Sequence, residues 1–169
     1  MMPLLLEDSD SMPFHTDLVE VFRALGGAQR DFDWLITNLE CIPLGGHDLP
    51  VPLRSEDVVL SGADLTRLVE STPLQFLWAV LSGFAPGTAP PAETVEPYPF
   101  ADGNGAPWKP GVHIQHPDAQ VEIVCWDSGA TLCFARDTML EERFKSYFPD
   151  AVDLEAYNTD RAKRNPSHA

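Results

Sequence analysis

The sequence predicts a single α+β domain: a mixed or antiparallel β-sheet with a C-terminal β-hairpin and flanking helices. Two apolar, β-branched stretches, 121–126 and 130–135, are joined by the turn Asp127-Ser128-Gly129, which predicts the hairpin. Leu18, Val21, Phe22 and Leu25 recur at i, i+3, i+4 and i+7, one face of a helix. A chain of 169 residues that is 44% hydrophobic is long enough for one core and too short for two.

In chain order, residues 1–13 read as a loose leader, with Pro3, Pro13 and an acidic patch but no sustained period. The globular domain is expected over 14–158. Its first helix starts at His15 or Thr16 and stops at Gly26-Gly27, where a left-handed residue costs no Cβ clash. Residues 32–42 alternate as a strand, with Phe32, Trp34 and Ile36 on one face and Leu35, Thr37, Leu39 and Cys41 on the other. Val58-Val59-Leu60 is a second short strand. Ser61-Gly62-Ala63-Asp64 reads as a capping box that opens a helix with Leu65, Leu68 and Val69 on its buried stripe.

Residues 76–81 are apolar on both faces, which fits a central strand or a buried helix segment. The Pro- and Gly-rich stretch 85–111 is a long irregular loop, the kind that is usually functional or disordered. In the hairpin, Gly129 is expected to take the left-handed position, with Trp126 opposite Ala130, Val124 opposite Leu132 and Ile123 opposite Cys133. Asp137 starts a helix lined by Leu140, Phe144 and Phe148, with Glu141 and Lys145 as an exposed i, i+4 pair. Val152, Leu154 and Tyr157 make a short last helix before a basic, flexible tail over 159–169.

Charge and composition restrict the function. Twenty-six acidic residues against eleven Lys and Arg give a net charge of −15. Such a surface repels nucleic acid and anionic membranes and attracts basic proteins, although high charge also serves plain solubility. The longest apolar run, Leu74–Phe84, has eleven residues where a bilayer needs about twenty, so no membrane span is expected. Three cysteines and no basic, apolar leader suit a reducing compartment, and the expected location is cytoplasmic.

No catalytic, cofactor-binding or metal site assembles from the motifs. His113 and His116 have ligand spacing, and Glu122 is the one candidate third ligand, on a strand whose facing the sequence leaves open. Asp102-Gly103-Asn104-Gly105 starts like a calcium loop but continues with Ala106 and Pro107 where an oxygen ligand and a glycine belong. Cys41, Cys125 and Cys133 lie in apolar strands, where burial raises a thiol pKa and favours core packing over catalysis. Asp31-x-Asp33 and Glu141-Glu142 are coincidences expected in so acidic a chain. Trp34, Trp78 and Trp126 read as core. Tyr98, Phe100 and Trp108, with Glu93, Glu96 and Asp102 in the same loop, have the composition of a partner-binding hot spot. The alternative is that these rings pin the loop to the domain.

The blocks Trp126-Asp127-Ser128-Gly129-Ala130-Thr131-Leu132, Glu142-Arg143-Phe144-Lys145, Tyr147-Phe148-Pro149-Asp150-Ala151 and Asp153-Leu154-Glu155-x-Tyr157-Asn158 resemble small acidic bacterial immunity-type proteins of polymorphic toxin systems. Asp33-Trp34-Leu35-Ile36-Thr37 and residues 77–84 fit the same resemblance, while Gly129 stands where a second Ser is expected. The resemblance implies an immunity protein that neutralises a cognate toxin by stoichiometric binding without a cofactor. The toxin is expected to be basic, a nuclease being one such case. Two other classes stay open: a small enzyme, which would bring His113 or His116 to Glu122 in a pocket, and an acidic nucleic-acid mimic that inhibits a DNA-binding protein.

Overall fold

Seven strands form one antiparallel sheet in the order β3-β2-β4-β5-β6-β1-β7. The computed structural model describes every residue except 1, 8, 11, 13, 15 and 165–169. The strands are β1 (Leu4–Glu7), β2 (Asp33–Pro43), β3 (Val58–Ser61), β4 (Leu74–Phe84), β5 (Val121–Trp126), β6 (Ala130–Ala135) and β7 (Val152–Asp153); the helices are α1 (Leu18–Ala24), α2 (Gly62–Ser71), α3 (Thr138–Tyr147) and α4 (Leu154–Arg164).

The two sheet faces are covered differently. On one, Trp34, Ile36, Leu81, Ile123 and Cys133 pack against Leu18, Val21 and Phe22 of α1, Leu65 and Val69 of α2, and Leu140 and Phe144 of α3. On the other, Leu35, Val80, Val124, Leu132 and Phe134 meet Val95, Ala101, Ile114 and Ala119 from the long connection between β4 and β5, together with Leu154 of α4. Both sides of β4, β5 and β6 are therefore buried, which is why these strands read as unbroken apolar runs. Residues 76–81 are strand, central between β2 and β5.

Several expectations are corrected. Residues 4–7 of the expected loose leader are a strand: Leu4, Leu5 and Leu6 are buried in β1, which pairs with β6 on one side and β7 on the other. The amide of Met2 donates to Glu141 Oε2 at 2.7 Å, and Leu154 N donates to Pro3 O at 2.8 Å. Three leucines in a row are too short to display a strand period, which hid the element. Pro13 and His15 lie outside the described residues. The side chain that caps α1 is Asp17, whose Oδ1 accepts from Val19 N at 2.9 Å. Burial raises the Asp17 carboxyl against the opposing pull of that bond.

The alternation expected through β2 breaks at Asn38. This residue has φ of 51°, and the pairing with β4 shifts register between Thr37 and Glu40. After the bulge, Leu39 and Cys41 face the helices although Leu35 faces the loop. In the hairpin the cross-strand pairs are Trp126–Ala130, Val124–Leu132 and Ile123–Cys133. Its left-handed residues are Asp127 (φ 46°) and Ser128 (φ 56°), not Gly129. Gly129 N donates to Trp126 O at 2.9 Å, so Asp127 and Ser128 are the two central residues of a type I′ turn.

The Glu141–Lys145 surface pair does not form. Glu141 turns inward and is buried beneath β1, while Lys145 donates to the carbonyls of Pro149 and Ala151 beyond the helix end. At α2, Asp64 N donates to Ser61 Oγ at 3.1 Å, but the Asp64 carboxylate takes the Ser61 hydroxyl at 2.7 Å and not a backbone amide. Residues 159–164 of the expected flexible tail belong to α4; the remainder of that tail lies outside the described residues.

Candidate functional site

The long connection between β4 and β5 is laid across the open sheet face by a small number of polar contacts. Asn38 is the first. Its Oδ1 accepts from Ala101 N at 2.8 Å and from Asp102 N at 2.7 Å. The Tyr98 hydroxyl donates to Asp57 Oδ1 at 2.7 Å and accepts from Asn38 N at 3.1 Å. Burial first, and then that carboxylate, push the Tyr98 hydroxyl up to about 12. Thr37 Oγ1 donates to Pro99 O at 2.6 Å.

At its far end the same connection is clamped by α4. Asn158 Nδ2 donates to Pro107 O at 2.9 Å and Lys109 O at 3.1 Å, and both Glu155 carboxylate oxygens accept from Gly111 N. The Trp108 ring packs edge-on against Trp126 with centroids 5.1 Å apart, touches Tyr157, and carries the Arg161 guanidinium 5.8 Å above it. Trp78 also meets Trp126, with centroids 5.1 Å apart. Trp34 is core as expected, whereas Trp78 and Trp126 are half-buried members of this aromatic row.

These anchors sort the six loop candidates. Glu93, Glu96 and Asp102 are exposed, and Tyr98 and Phe100 keep 38% and 40% of their surface in solvent. With Asp57 bonded to Tyr98, they form an acidic surface carrying two aromatic rings. Trp108 stands apart: it is half-buried and pins the loop to β5 and α4.

Between this surface and the α4 clamp lies a cleft of about 440 Å³ that reaches down to the sheet. Glu122 is at its floor. This residue is opposite Ser82 on β4 and Phe134 on β6, and its side chain is fully buried on the loop side of the sheet. Glu122 Oε2 accepts from Gln115 N at 3.0 Å, while Oε1 has no hydrogen-bond partner in the protein. Burial pushes its carboxyl up to about 8, against the lowering effect of the Gln115 amide. Gln115 Oε1 is occupied by Phe100 N at 3.0 Å and Asn104 Nδ2 at 3.1 Å, and its Nε2 is buried without a partner.

The two histidines separate. His113 is exposed on the cleft wall with Nδ1 3.2 Å from Gly111 O. His116 is buried, its ring edge-on to Phe84 at 5.0 Å, and accepts from Asp118 N at Nδ1; burial lowers its pKa, with Asp118 opposing. His113 and Glu122 thus line one cleft, while His116 packs into the core. Among the described residues no group of three His, Cys, Asp or Glu side chains is placed to hold a metal ion, so the Glu122-completed site does not assemble. All three thiols are buried and free; burial pushes Cys41 up to about 11 and Cys125 and Cys133 higher.

Sequence reasoning singled out Glu122 as a metal ligand and as the carboxylate that His113 or His116 would meet in an enzyme pocket, and gave no role to Gln115, Asn38 or Asn158. An apolar strand interrupted by one carboxylate was the available signal for Glu122. The chain matches no family model, no curated protein and no solved structure. Among the described residues no helix is long and apolar enough to cross a membrane.

Proposed function

We propose that the protein is an immunity-type inhibitor that binds a basic protein toxin stoichiometrically through the surface formed by Glu93, Glu96, Tyr98, Phe100, Asp102 and Asp57. The observation that carries this reading is the way Asn38 and Asp57 fix that surface. Two backbone amides on Asn38 and the Tyr98 hydroxyl on Asp57 hold the aromatic rings outward in place before any partner arrives. A preorganised surface spends little ordering entropy on binding. Aromatic anchors supply much of the contact energy in interfaces, and the net charge of −15 steers a basic partner into encounter.

The test begins with a tagged protein in extract of its native cells, captured at low and high salt. The reading expects one stoichiometric partner that arrests growth when expressed alone and is harmless when co-expressed with this chain. Replacing Glu93, Glu96 and Asp102 together by Lys should slow association with that partner by about tenfold at low salt, and the difference should shrink as salt screens the charges. A captured partner that leaves growth unaffected, or a triple variant that associates at the original rate, would exclude the reading.

A further inference from the structure

We propose that the cleft over Glu122 is a small-molecule site for a neutral ligand with a carbonyl or amide oxygen on an apolar body, read by Glu122 and Gln115. The site is independent of the toxin-binding reading, although Tyr98 and Phe100 border both. Its volume of about 440 Å³ falls in the range of ligand pockets. The walls are supplied by Tyr98, Phe100, Pro107, Pro110, Val112 and Phe134, which give it an apolar body.

The floor decides the chemistry. Glu122 Oε2 already accepts from Gln115 N, and Gln115 Oε1 already accepts two donors. What remains without a partner is Glu122 Oε1 and Gln115 Nε2 on the cleft lining, and the hydroxyl of Ser82, which pairs with Glu122 across β4 and does not line the cleft. A carboxyl that keeps its proton in this dry position presents an O–H at Oε1, and Gln115 on the same cleft lining adds an N–H. The cleft lining therefore offers two donors, which match a carbonyl oxygen, while the Ser82 hydroxyl outside the lining can turn to either role. An unpaired buried donor is costly, so a ligand that satisfies both is selected over one that satisfies neither. An ammonium ligand would set its own donors against these two and against Lys109 on the rim. A carboxylate would enter against the charge of the whole chain.

Protonation of Glu122 is part of this recognition. Facing it are Ser82 from β4 and Phe134 from β6, neither charged, while the loop contributes Lys109 and His113 on the cleft wall and the buried His116 beside it. Loss of the Glu122 proton converts its donor into an acceptor and should weaken an amide ligand. Glu122→Gln keeps the acceptor for Gln115 N and puts a permanent N–H where the O–H was.

The experiment titrates ¹⁵N-labelled protein with benzamide, benzylamine and benzoate, following the Gln115 side-chain and Phe100 and Gly111 backbone amide signals. Benzamide should bind at least about tenfold more tightly than either charged analogue near pH 7, a difference of roughly 1.4 kcal/mol. Raising the pH to about 9 should weaken benzamide binding severalfold in the wild type and leave Glu122→Gln unchanged, because only the former carries a group that ionises there. Ala106→Trp, which fills the cleft from an exposed wall position, should abolish the shifts. Tighter binding of benzylamine or benzoate, a pH response shared by Glu122→Gln, undiminished binding to Ala106→Trp, or no benzamide shift up to about 20 mM, far weaker than useful ligand affinities, would each overturn the assignment. None of these readouts involves a protein partner, so the toxin reading stands or falls separately.

Discussion

Asn38 Oδ1 accepts the backbone amide of Asp102 at 2.7 Å, which ties the bulge of β2 to the middle of a loop sixty-four positions away in sequence. The same oxygen takes Ala101 N at 2.8 Å, and the backbone that presents it is left-handed, with φ of 51°. Asparagine suits both demands, since its short polar side chain tolerates that conformation and supplies the acceptor. Bulge and loop are thus set by one residue.

Replacing it separates the two contributions. Asn38→Gly keeps the backbone conformation but loses both acceptor bonds, and should cost about 1–3 kcal/mol in urea unfolding. Asn38→Ala loses the bonds and also forces a Cβ into the left-handed region, adding about 1 kcal/mol. Asn38→Asp retains acceptor and conformation and should stay closest to wild type. If all three unfold at the wild-type midpoint, the loop is held by other contacts.

Glu122 links the site to pH. Its folded carboxyl titrates at about 8, well above the roughly 4.3 of an unfolded glutamate. Between those values the unfolded chain has released this proton and the folded chain has kept it. Stability therefore falls as pH rises through that window, by up to about 5 kcal/mol from this group. Glu122→Gln has no such proton. Its unfolding free energy should match the wild type within about 1 kcal/mol near pH 4 and exceed it by a few kcal/mol near pH 8. A wild-type minus variant difference that is flat with pH would show that Glu122 is ionised in the folded state.

How much of this was legible beforehand depends on the range of the interaction. The helix of Leu18, Val21 and Phe22 and the strands of the hairpin carry their signal within a few residues, and they formed where expected. β1 did not announce itself, because Leu4-Leu5-Leu6 acquires its strand partners from β6 and β7, more than a hundred positions away. Glu141 shows the same limit: helical spacing predicts a neighbour at Lys145, yet the chain start comes over it and takes its carboxylate. At the site, the loop's aromatic and acidic composition was visible, but which ring anchors and which is free was not. Trp108 became an anchor only through Trp126 and Tyr157, and the cleft over Glu122 depends on a loop path that no local pattern encodes.

The role given to Trp108 is open to direct test. Its ring joins the loop to β5 through Trp126 and to α4 through Tyr157 and Arg161. Trp108→Ala removes all three contacts and should destabilise the fold by about 2–4 kcal/mol, somewhat below a fully buried ring. Hydrogen exchange at Gly111 and through α4 should accelerate, since the clamp from Asn158 and Glu155 loses its packing support. Phe100→Ala, at a ring 40% exposed, should cost less than about 1 kcal/mol. Equal costs for the two would mean that Trp108 is as free as Phe100.

Gly62 provides a case where two physical effects predict opposite signs. It opens α2, and replacing a helical glycine by alanine ordinarily stabilises by about 1 kcal/mol. Here an added Cβ would lie 2.0 Å from Gln29 O and 2.8 Å from both Arg30 Cα and Phe32 O, all of them backbone atoms. Those atoms cannot swing aside individually. Gln29 O accepts the Trp34 indole N–H at 2.8 Å, and Phe32 O accepts Gly62 N itself at 2.8 Å. Relieving the clash means moving the 28–31 turn off α2 and disturbing Trp34, a fully buried side chain of the helix-side core. The steric term should win, with Gly62→Ala less stable by about 3 kcal/mol or more. A midpoint that rises on substitution would show that α2 and the turn can part without cost, and that the close approach at Gly62 is not what seats the helix.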